Sequence, residues 1–345
     1  MNTVPFVFIT DDGYAIPTVV AIKSLKENFK KTERLTVIVI YNTLSMTNID
    51  YLLKLADKDT HIELKHYDSG DIARFQNKAL YVTPTSLIKF EIANILNEYN
   101  MAVYLDGDIV VQRDLSCLTK EDISDQYCLA VQDYEAVKET LAQERLKLDY
   151  YFNSGVMVLN LKKIRDEKLS ANMMRIKEER KDLFYMDQDV LNIAFRGKIK
   201  LLPVSFNYIP ASYEPARVRI ESFNEFFNTS YLNYDSIKAN AHVIHLAGGR
   251  KPWKSKTGIF FNEWNGYFNE CDLPKIVYKD SLEKKTLSAY LCSFFSKLIK
   301  RKISINSEGY FTVNIYVCGI KLVSKIRTNN GIQIKWFNLL TQNYR

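Results

Sequence analysis

Short apolar runs alternate with segments of helical spacing along most of the chain. Val4 to Thr10 (VPFVFIT) and Leu35 to Tyr41 (LTVIVIY) are nearly continuous apolar stretches, the pattern of strands buried on both faces, and His61 to His66 reads as a third strand. Between them Ile16 to Phe29 carries Val19, Val20, Ile22, Leu25 and Phe29 at helical spacing, with Pro17 suited to the first turn, and Ser45 to Ala56 reads as a second helix. This β-α-β-α-β order calls for parallel strands joined by right-handed crossovers, a Rossmann-like half of an α/β fold. Such sheets bind ligands at the carboxyl ends of their strands, where Asp11 and Asp106 both fall.

Further along, a helix over Thr85 to Leu96 feeds an apolar strand, Met101 to Leu105, which stops at Asp106-Gly107-Asp108 before a second apolar run, Ile109 to Val111. Tyr127 to Val131 is another strand, ending at Gln132 and Asp133. Tyr150 to Leu161 (YYFNSGVMVLNL) places an Asn-Ser-Gly turn directly before an apolar strand. A basic helix follows, and then a helix over Tyr185 to Phe195 whose N-terminus bunches Asp187, Gln188 and Asp189. Leu201 to Asn240 reads as loops and short helices rich in Tyr, Phe and Asn, and Ala241 to Ala247 as a last strand running into GGRKPW. Beyond it, Leu282 to Ile299 shows a helical apolar stripe through Leu287, Leu291, Phe294 and Leu298, flanked by Lys284, Lys285, Lys297, Lys300, Arg301 and Lys302. Short strands are expected over Tyr310 to Trp336, with Asn329-Asn330-Gly331 as a hairpin turn.

At 345 residues there is room for one large α/β domain, residues 1–270, and a smaller basic region, residues 271–345. Charge sharpens that division. From Cys271 onward thirteen Lys/Arg face four Asp/Glu, whereas the chain before it holds 34 against 36. A near-neutral body argues against a nucleic-acid groove, and the basic tail argues for an anionic surface met by the C-terminus alone. The helix over Leu282 to Ile299 is therefore read as interfacial, on an anionic membrane, rather than as a packed helix with a solvated basic edge. Five scattered cysteines without CxxC spacing suggest neither a disulfide framework nor a zinc site, and fit a reducing compartment. Asp11 and Asp12 interrupt the first apolar stretch, so no signal peptide is expected, and no segment has the apolar length of a membrane span.

The candidate chemistry centres on Asp106-Gly107-Asp108. Two carboxylates at a strand end, with Gly107 allowing a tight turn, can converge on a divalent cation and its oxygen-rich ligand. Asp-Gly is equally a hairpin-turn signal, and the tripeptide alone leaves both readings open.

Five blocks in order break the tie: FVFITDDGYA, YLDGDIVV, YYFNSGVMVLNL, MDQDVLN and HLAGGRKPW. Together they resemble glycosyltransferase family 8, which includes bacterial lipopolysaccharide glucosyl- and galactosyltransferases and, more distantly, glycogenin. The resemblance spans roughly residues 4 to 265. It implies a GT-A-type fold, a Rossmann-like mixed sheet flanked by helices, here followed by a basic helical and β appendage. It implies that Asp106, Asp108 and His245 hold Mn²⁺, with Mg²⁺ as the alternative, a mixed oxygen and nitrogen set that suits a borderline cation. The Gly and Lys of the last block, Gly248 and Lys251, are expected to close over a diphosphate.

By the same resemblance Asp11 lies near the uracil and ribose, although an N-cap or Asx turn is an equal reading of that residue. Lys89 stands where many relatives carry an Arg, keeping the charge but losing the planar fork, and Gly13 stands where lipooligosaccharide galactosyltransferases tend to have Asn. Asp133, Asn153, Ser154, Asp187 and Gln188 are implied to line the sugar pocket, hydrogen-bonding groups that read hydroxyls. Family members retain the anomeric configuration. Gln188, at the position nearest the reacting face, is a poor nucleophile, which favours front-face attack over a double displacement, with Asp187 or Asp133 as transient nucleophile the other route. The expected function is a Mn²⁺-dependent retaining α-hexosyltransferase. It would move glucose or galactose from a UDP-hexose to a lipid-linked oligosaccharide, the core of lipopolysaccharide or lipooligosaccharide, at the cytoplasmic face of the bacterial membrane. A glycogenin-like self-glucosylating initiator and a non-catalytic sugar-nucleotide-binding module are the alternatives.

Overall fold

The computed structural model describes residues 3–30, 33–68, 84–180, 182–210, 218–258 and 260–278, together with the backbone of four C-terminal strands between 299 and 336. Strands β1 (Phe6–Thr10), β2 (Leu35–Tyr41) and β3 (Thr60–His66) form where the apolar runs require them, joined by helices Ala15–Asn28 and Met46–Leu53. They continue through β4 (Met101–Leu105), β6 (Cys128–Gln132), β7 (Phe152–Asn160) and β8 (Ile199–Leu201) into one seven-stranded sheet of order β3-β2-β1-β4-β7-β6-β8. Pairing is parallel from β3 to β4 and between β6 and β8; β7 runs antiparallel to both its neighbours, so the sheet is mixed with flanking helices as expected.

Alternation along each strand divides the core in two. Phe6, Phe8, Val37, Val39, Val103 and Leu105 face the helix Ala15–Asn28, while Val7, Ile9, Ile38, Ile40 and Tyr104 pack with Leu87, Phe90, Met173 and Leu191 on the other side. Both faces are covered, which is why these strands carry almost no polar positions.

A second, two-stranded sheet lies outside the main one. Strand β5 (Ile109–Val111) pairs antiparallel with β9 (Val243–His245), in the register Ile109 to His245 and Val111 to Val243. The outer edge of β5 is closed by the helix beneath it: Val111 N donates to Ser24 Oγ at 2.9 Å, and Asn28 Nδ2 donates to Val111 O at 3.1 Å.

Several expectations are corrected. Thr85 to Leu96 is a 3₁₀ segment, Pro84–Glu91, followed by a single α turn, Ile92–Ile95. The i, i+3 spacing of the tighter winding suits Leu87 and Phe90, both buried in the same core. Asn153-Ser154-Gly155 is not a turn but the start of β7, held by pairing of Phe152 with Gln132 and of Val156 with Leu105. The last strand shortens to Val243–His245.

In the C-terminal region the strands expected over Tyr310 to Trp336 are Phe311–Val317, Ile320–Thr328 and Gly331–Trp336. A fourth, Ile299–Ile305, completes an antiparallel meander, and Thr328 pairs with Gly331 where the hairpin was expected. The helix proposed over Leu282 to Ile299 lies outside the described residues apart from Ile299, which opens a strand. Lys300, Arg301 and Lys302 are thus in extended chain. Among the described residues no helix is long and apolar enough to cross a membrane.

Candidate active site

Chain direction and register bring the polar blocks to one place. β4 ends at Leu105, and Asp106 N donates to Gly155 O at 2.8 Å, so the diacid turn is anchored to the first residues of β7. The β5–β9 register then sets His245 opposite Ile109, and Leu246 N donates to Asp108 O at 2.8 Å. Asp106, Asp108 and His245 form a cluster in which one ligand atom from each lies within 4.8 Å of the others. His245 Nε2 is 3.3 Å from Asp108 Oδ1 and 3.8 Å from Asp106 Oδ2.

Room for this cluster comes from glycine. A Cβ on Gly155 would fall on the His245 ring and within 2.9 Å of Asp106 Oδ2. A Cβ on Gly107 would collide with the Thr18 hydroxyl, so the turn between the carboxylates packs directly on the first helix. Two acidic side chains, an imidazole and a missing side chain form a compact cradle that suits a divalent cation with mixed oxygen and nitrogen ligands.

Two buried lysines balance the acids. Lys251 Nζ is 2.5 Å from Asp108 Oδ2 and donates to Leu246 O at 2.7 Å, with the Trp253 ring 5.4 Å away. It reaches inward from a loop that turns at Gly248, whose φ of 89° belongs to the left-handed region that glycine tolerates. Lys89 Nζ lies 3.1 Å from both Asp106 Oδ1 and Asp187 Oδ2 and 3.3 Å from Ser154 Oγ. Asp106 Oδ1 also accepts from the Tyr104 hydroxyl at 2.6 Å.

These contacts set the charge states. Burial pushes the Asp108 carboxyl up, but the Lys251 ammonium beside it outweighs this and holds the group well below the usual carboxylate range. Burial pushes the Lys89 ammonium down, yet two carboxylates win and it stays charged, above its ordinary value. Asp187 goes the other way: burial raises it, Lys89 is shared with Asp106, and the Asp106 charge adds to the rise.

Beside the diacid lies a buried amide network. Asp133 caps the helix Tyr134–Lys138 by accepting from Ala136 N at 2.9 Å, and its other oxygen accepts from Asn153 Nδ2 and Gln188 Nε2, both at 3.0 Å. Gln188 Oε1 accepts from Ser154 N at 3.1 Å. Asn153 Oδ1 accepts from Gly155 N and from Asn207 Nδ2, both at 2.9 Å, and Asn207 Oδ1 lies 3.0 Å from His245 Nδ1. Asn192, one turn after Gln188, hydrogen-bonds both backbone groups of Phe152 and so docks the helix Asp187–Ala194 on β7.

Of the residues singled out in the sequence, Asp106, Asp108, His245, Lys251, Lys89, Asp187, Ser154, Gln188, Asn153 and Asp133 form this connected set, with Gly107 shaping it and Gly248 turning the loop of Lys251. Asp11 stands apart. Its Oδ1 accepts from Gly13 N and Tyr14 N, an Asx turn, while Oδ2 accepts from Thr85 Oγ1. The sequence reading missed Tyr104, Asn192 and Asn207. Tyr104 is one position of an apolar strand, Asn192 sits within a helix, and Asn207 lies in a stretch crowded with other asparagines, so no local pattern marks them.

Comparisons with known proteins point to one family. The profile of glycosyl transferase family 8 matches residues 5–257. A lipopolysaccharide 1,2-glucosyltransferase of Escherichia coli is 28% identical over 286 residues, covering 79% of this chain and 80% of that protein. One from Escherichia coli strain K12 is 34% identical over 157 residues, 44% of this chain and 43% of its own length. Among solved structures, the galactosyltransferase LgtC in complex with donor and acceptor sugar analogs superposes with a TM-score of 0.64 at 23% identity, covering 79% of this chain and 97% of that one. The bifunctional glycosyltransferase WbbM in its apo form gives 0.66 at 21% identity, over 79% of this chain and 50% of that one. The mixed sheet with flanking helices is thus the GT-A-type fold, and with the family profile matched over most of its length the chain belongs to glycosyl transferase family 8.

Proposed function

We propose that this family 8 enzyme is a retaining α-hexosyltransferase that moves glucose or galactose from a UDP-sugar to the core of lipopolysaccharide or lipooligosaccharide, with Mn²⁺ as its cofactor. The observation that carries the reading is the convergence of Asp106, Asp108 and His245 with the buried ammonium of Lys251, beside the Asp133–Asn153–Gln188 network. The acceptor class follows from the relatives named lipopolysaccharide 1,2-glucosyltransferase and from the basic C-terminal region, which suits an anionic membrane surface on the cytoplasmic side.

Asp106, Asp108 and His245 would hold the cation, which when bound supplies Lewis-acid neutralisation of a diphosphate. Lys251 adds a second positive charge next to Asp108, where charge develops as UDP departs. Lys89 orients the other side by fixing Asp106 and Asp187 at once and by contacting Ser154. Gln188 has its amide nitrogen on Asp133 and its oxygen on Ser154 N, so its rotamer is locked from both ends. A neutral, immobilised amide stabilises an oxocarbenium-like state without becoming a covalent partner. Asp133 and Asp187 are each tied up by donors, which favours front-face attack by the acceptor hydroxyl over a covalent intermediate.

The test is a panel of UDP-sugars with Mn²⁺, read as UDP released, on wild type and on a variant with Asp106→Ala and Asp108→Ala together. One UDP-hexose should be turned over by the wild type, and the double variant should lose roughly a thousandfold in rate. Retained hydrolysis in the variant would refute the metal assignment, and tight UDP binding without released hexose would mark a binding module instead.

A further inference from the structure

We infer that Asn207 is a positioning residue for the cation site: it holds His245 as the Nδ1-protonated tautomer and so leaves the Nε2 lone pair facing Asp106 and Asp108. The inference rests on the metal reading above, but its argument comes from hydrogen-bond direction alone. The backbone N–H of Gly155 can only donate, and it points at Asn153 Oδ1 from 2.9 Å. That fixes which end of the Asn153 amide is oxygen, and its nitrogen then donates to the Asp133 carboxylate at 3.0 Å, where only an acceptor is available. Asn207 meets the same Asn153 oxygen at 2.9 Å, so Asn207 must present its NH₂ there. Its oxygen is therefore the atom 3.0 Å from His245 Nδ1, and an amide oxygen can only accept. Nδ1 must carry the proton.

A neutral imidazole protonated at Nδ1 has a bare Nε2, the nitrogen that lies 3.3 Å from Asp108 Oδ1 and 3.8 Å from Asp106 Oδ2. This is the form a divalent cation requires of a histidine, and a partner on the opposite ring nitrogen is what selects it. Asn207 is fully buried, so no bulk water competes for the imidazole edge. The backbone here is held independently of the Asn207 side chain: Asn207 N donates to Val204 O at 3.1 Å, and at the next residue Tyr208 N donates to Val243 O at 3.0 Å and Tyr208 O accepts from His245 N at 2.8 Å. A substitution at Asn207 thus changes the imidazole's partner while the bridge that carries the residue persists.

The experiment uses the full chain labelled with ¹⁵N-histidine, metal-free and under alkaline conditions, where four histidines keep the nitrogen spectrum simple. Wild-type His245 should show a protonated Nδ1 and a bare Nε2. Asn207→Leu, which offers no acceptor, should lose that preference and weaken Mn²⁺ binding, followed by electron paramagnetic resonance of free Mn²⁺, by about 10–100-fold. Asn207→Asp, whose carboxyl still accepts from Nδ1 but no longer donates to Asn153 Oδ1, should keep the tautomer and recover part of the affinity, a rescue that mere filling of space would not give. A wild-type His245 protonated at Nε2 would overturn the inference, as would an Asn207→Leu protein with unchanged tautomer and unchanged Mn²⁺ affinity. Were the wild type to bind no Mn²⁺, the proposed function would fall, while the tautomer would still decide the role of Asn207.

Discussion

Asp187, Gln188 and Asp189 are neighbours in sequence, yet the fold sends their side chains to different places. Asp187 pairs with Lys89, Gln188 locks onto Asp133 and Ser154, and Asp189 turns away into a fully buried clamp. There it accepts from Arg145, from the Tyr151 hydroxyl at 2.5 Å, and from the backbone N–H groups of Phe184 and Tyr185 at 2.5 and 3.2 Å. Between the clamp and the helix, Met186 sits at φ 45°, a left-handed value that a side chain adopts at a cost of about 1–3 kcal/mol. The clamp holds the strained residue that aims Asp187 and Gln188. In the sequence the triplet carries one signal, acids at a helix start; only the family resemblance marked Asp187 and Gln188 as candidate site residues, and neither singled out Asp189. Asp189→Ala takes the carboxylate away from a buried guanidinium and from the Phe184 and Tyr185 N–H groups, and should cost about 3–5 kcal/mol of stability, read as a lower urea midpoint. An unchanged midpoint would mean that the clamp carries no stability.

At the scale of elements, the site depends on two pairings that differ in how visible they are. The β4 end was legible because a nearly apolar strand stops abruptly at Asp106. The β5–β9 pair was half legible: both apolar runs stand out, but a register that joins His245 to Ile109 is a tertiary fact, and no local pattern encodes it. The start of β7 was misread because Asn, Ser and Gly are the residues of a turn. Their real reason is packing and polar contact within a strand, where Asn153 and Ser154 have buried partners and Gly155 has no room for a side chain. Gly155→Ala should therefore act on the proposed metal site before it acts on the sheet. Overpacking is expected to cost about 1–3 kcal/mol, and Mn²⁺ affinity should drop at least tenfold as His245 or Asp106 shifts. Titration calorimetry with Mn²⁺ beside thermal unfolding checks both, and an alanine variant that binds Mn²⁺ as tightly as wild type would show that the cradle has slack.

At the scale of the whole molecule, the proposed membrane contact would assign catalysis to the near-neutral body and location to the basic C-terminal region. Cys271, Leu273 and Ile276 pack against the core that contains Phe6, Val103 and Trp264, so the body's packing runs a few residues past the charge boundary seen in the sequence. A truncation meant to preserve the enzyme should end after Tyr278 rather than at Cys271. Every residue of the candidate site is retained in such a chain, and among the described residues the core clusters include none beyond Ile276. The removed segment takes with it an excess of Lys/Arg over Asp/Glu, each basic charge near an anionic surface being worth about 1 kcal/mol. The shortened protein should thus leave vesicles containing anionic lipid while keeping its slow hydrolysis of the UDP-sugar, and binding by the full chain should weaken steeply as salt shortens the reach of the charges. Cosedimentation with vesicles and UDP release, measured on the same preparations, separate the two functions. Equal vesicle binding by both chains would place the membrane contact on the body, and loss of hydrolysis with an unaltered melting temperature would make the C-terminal region part of the catalytic unit.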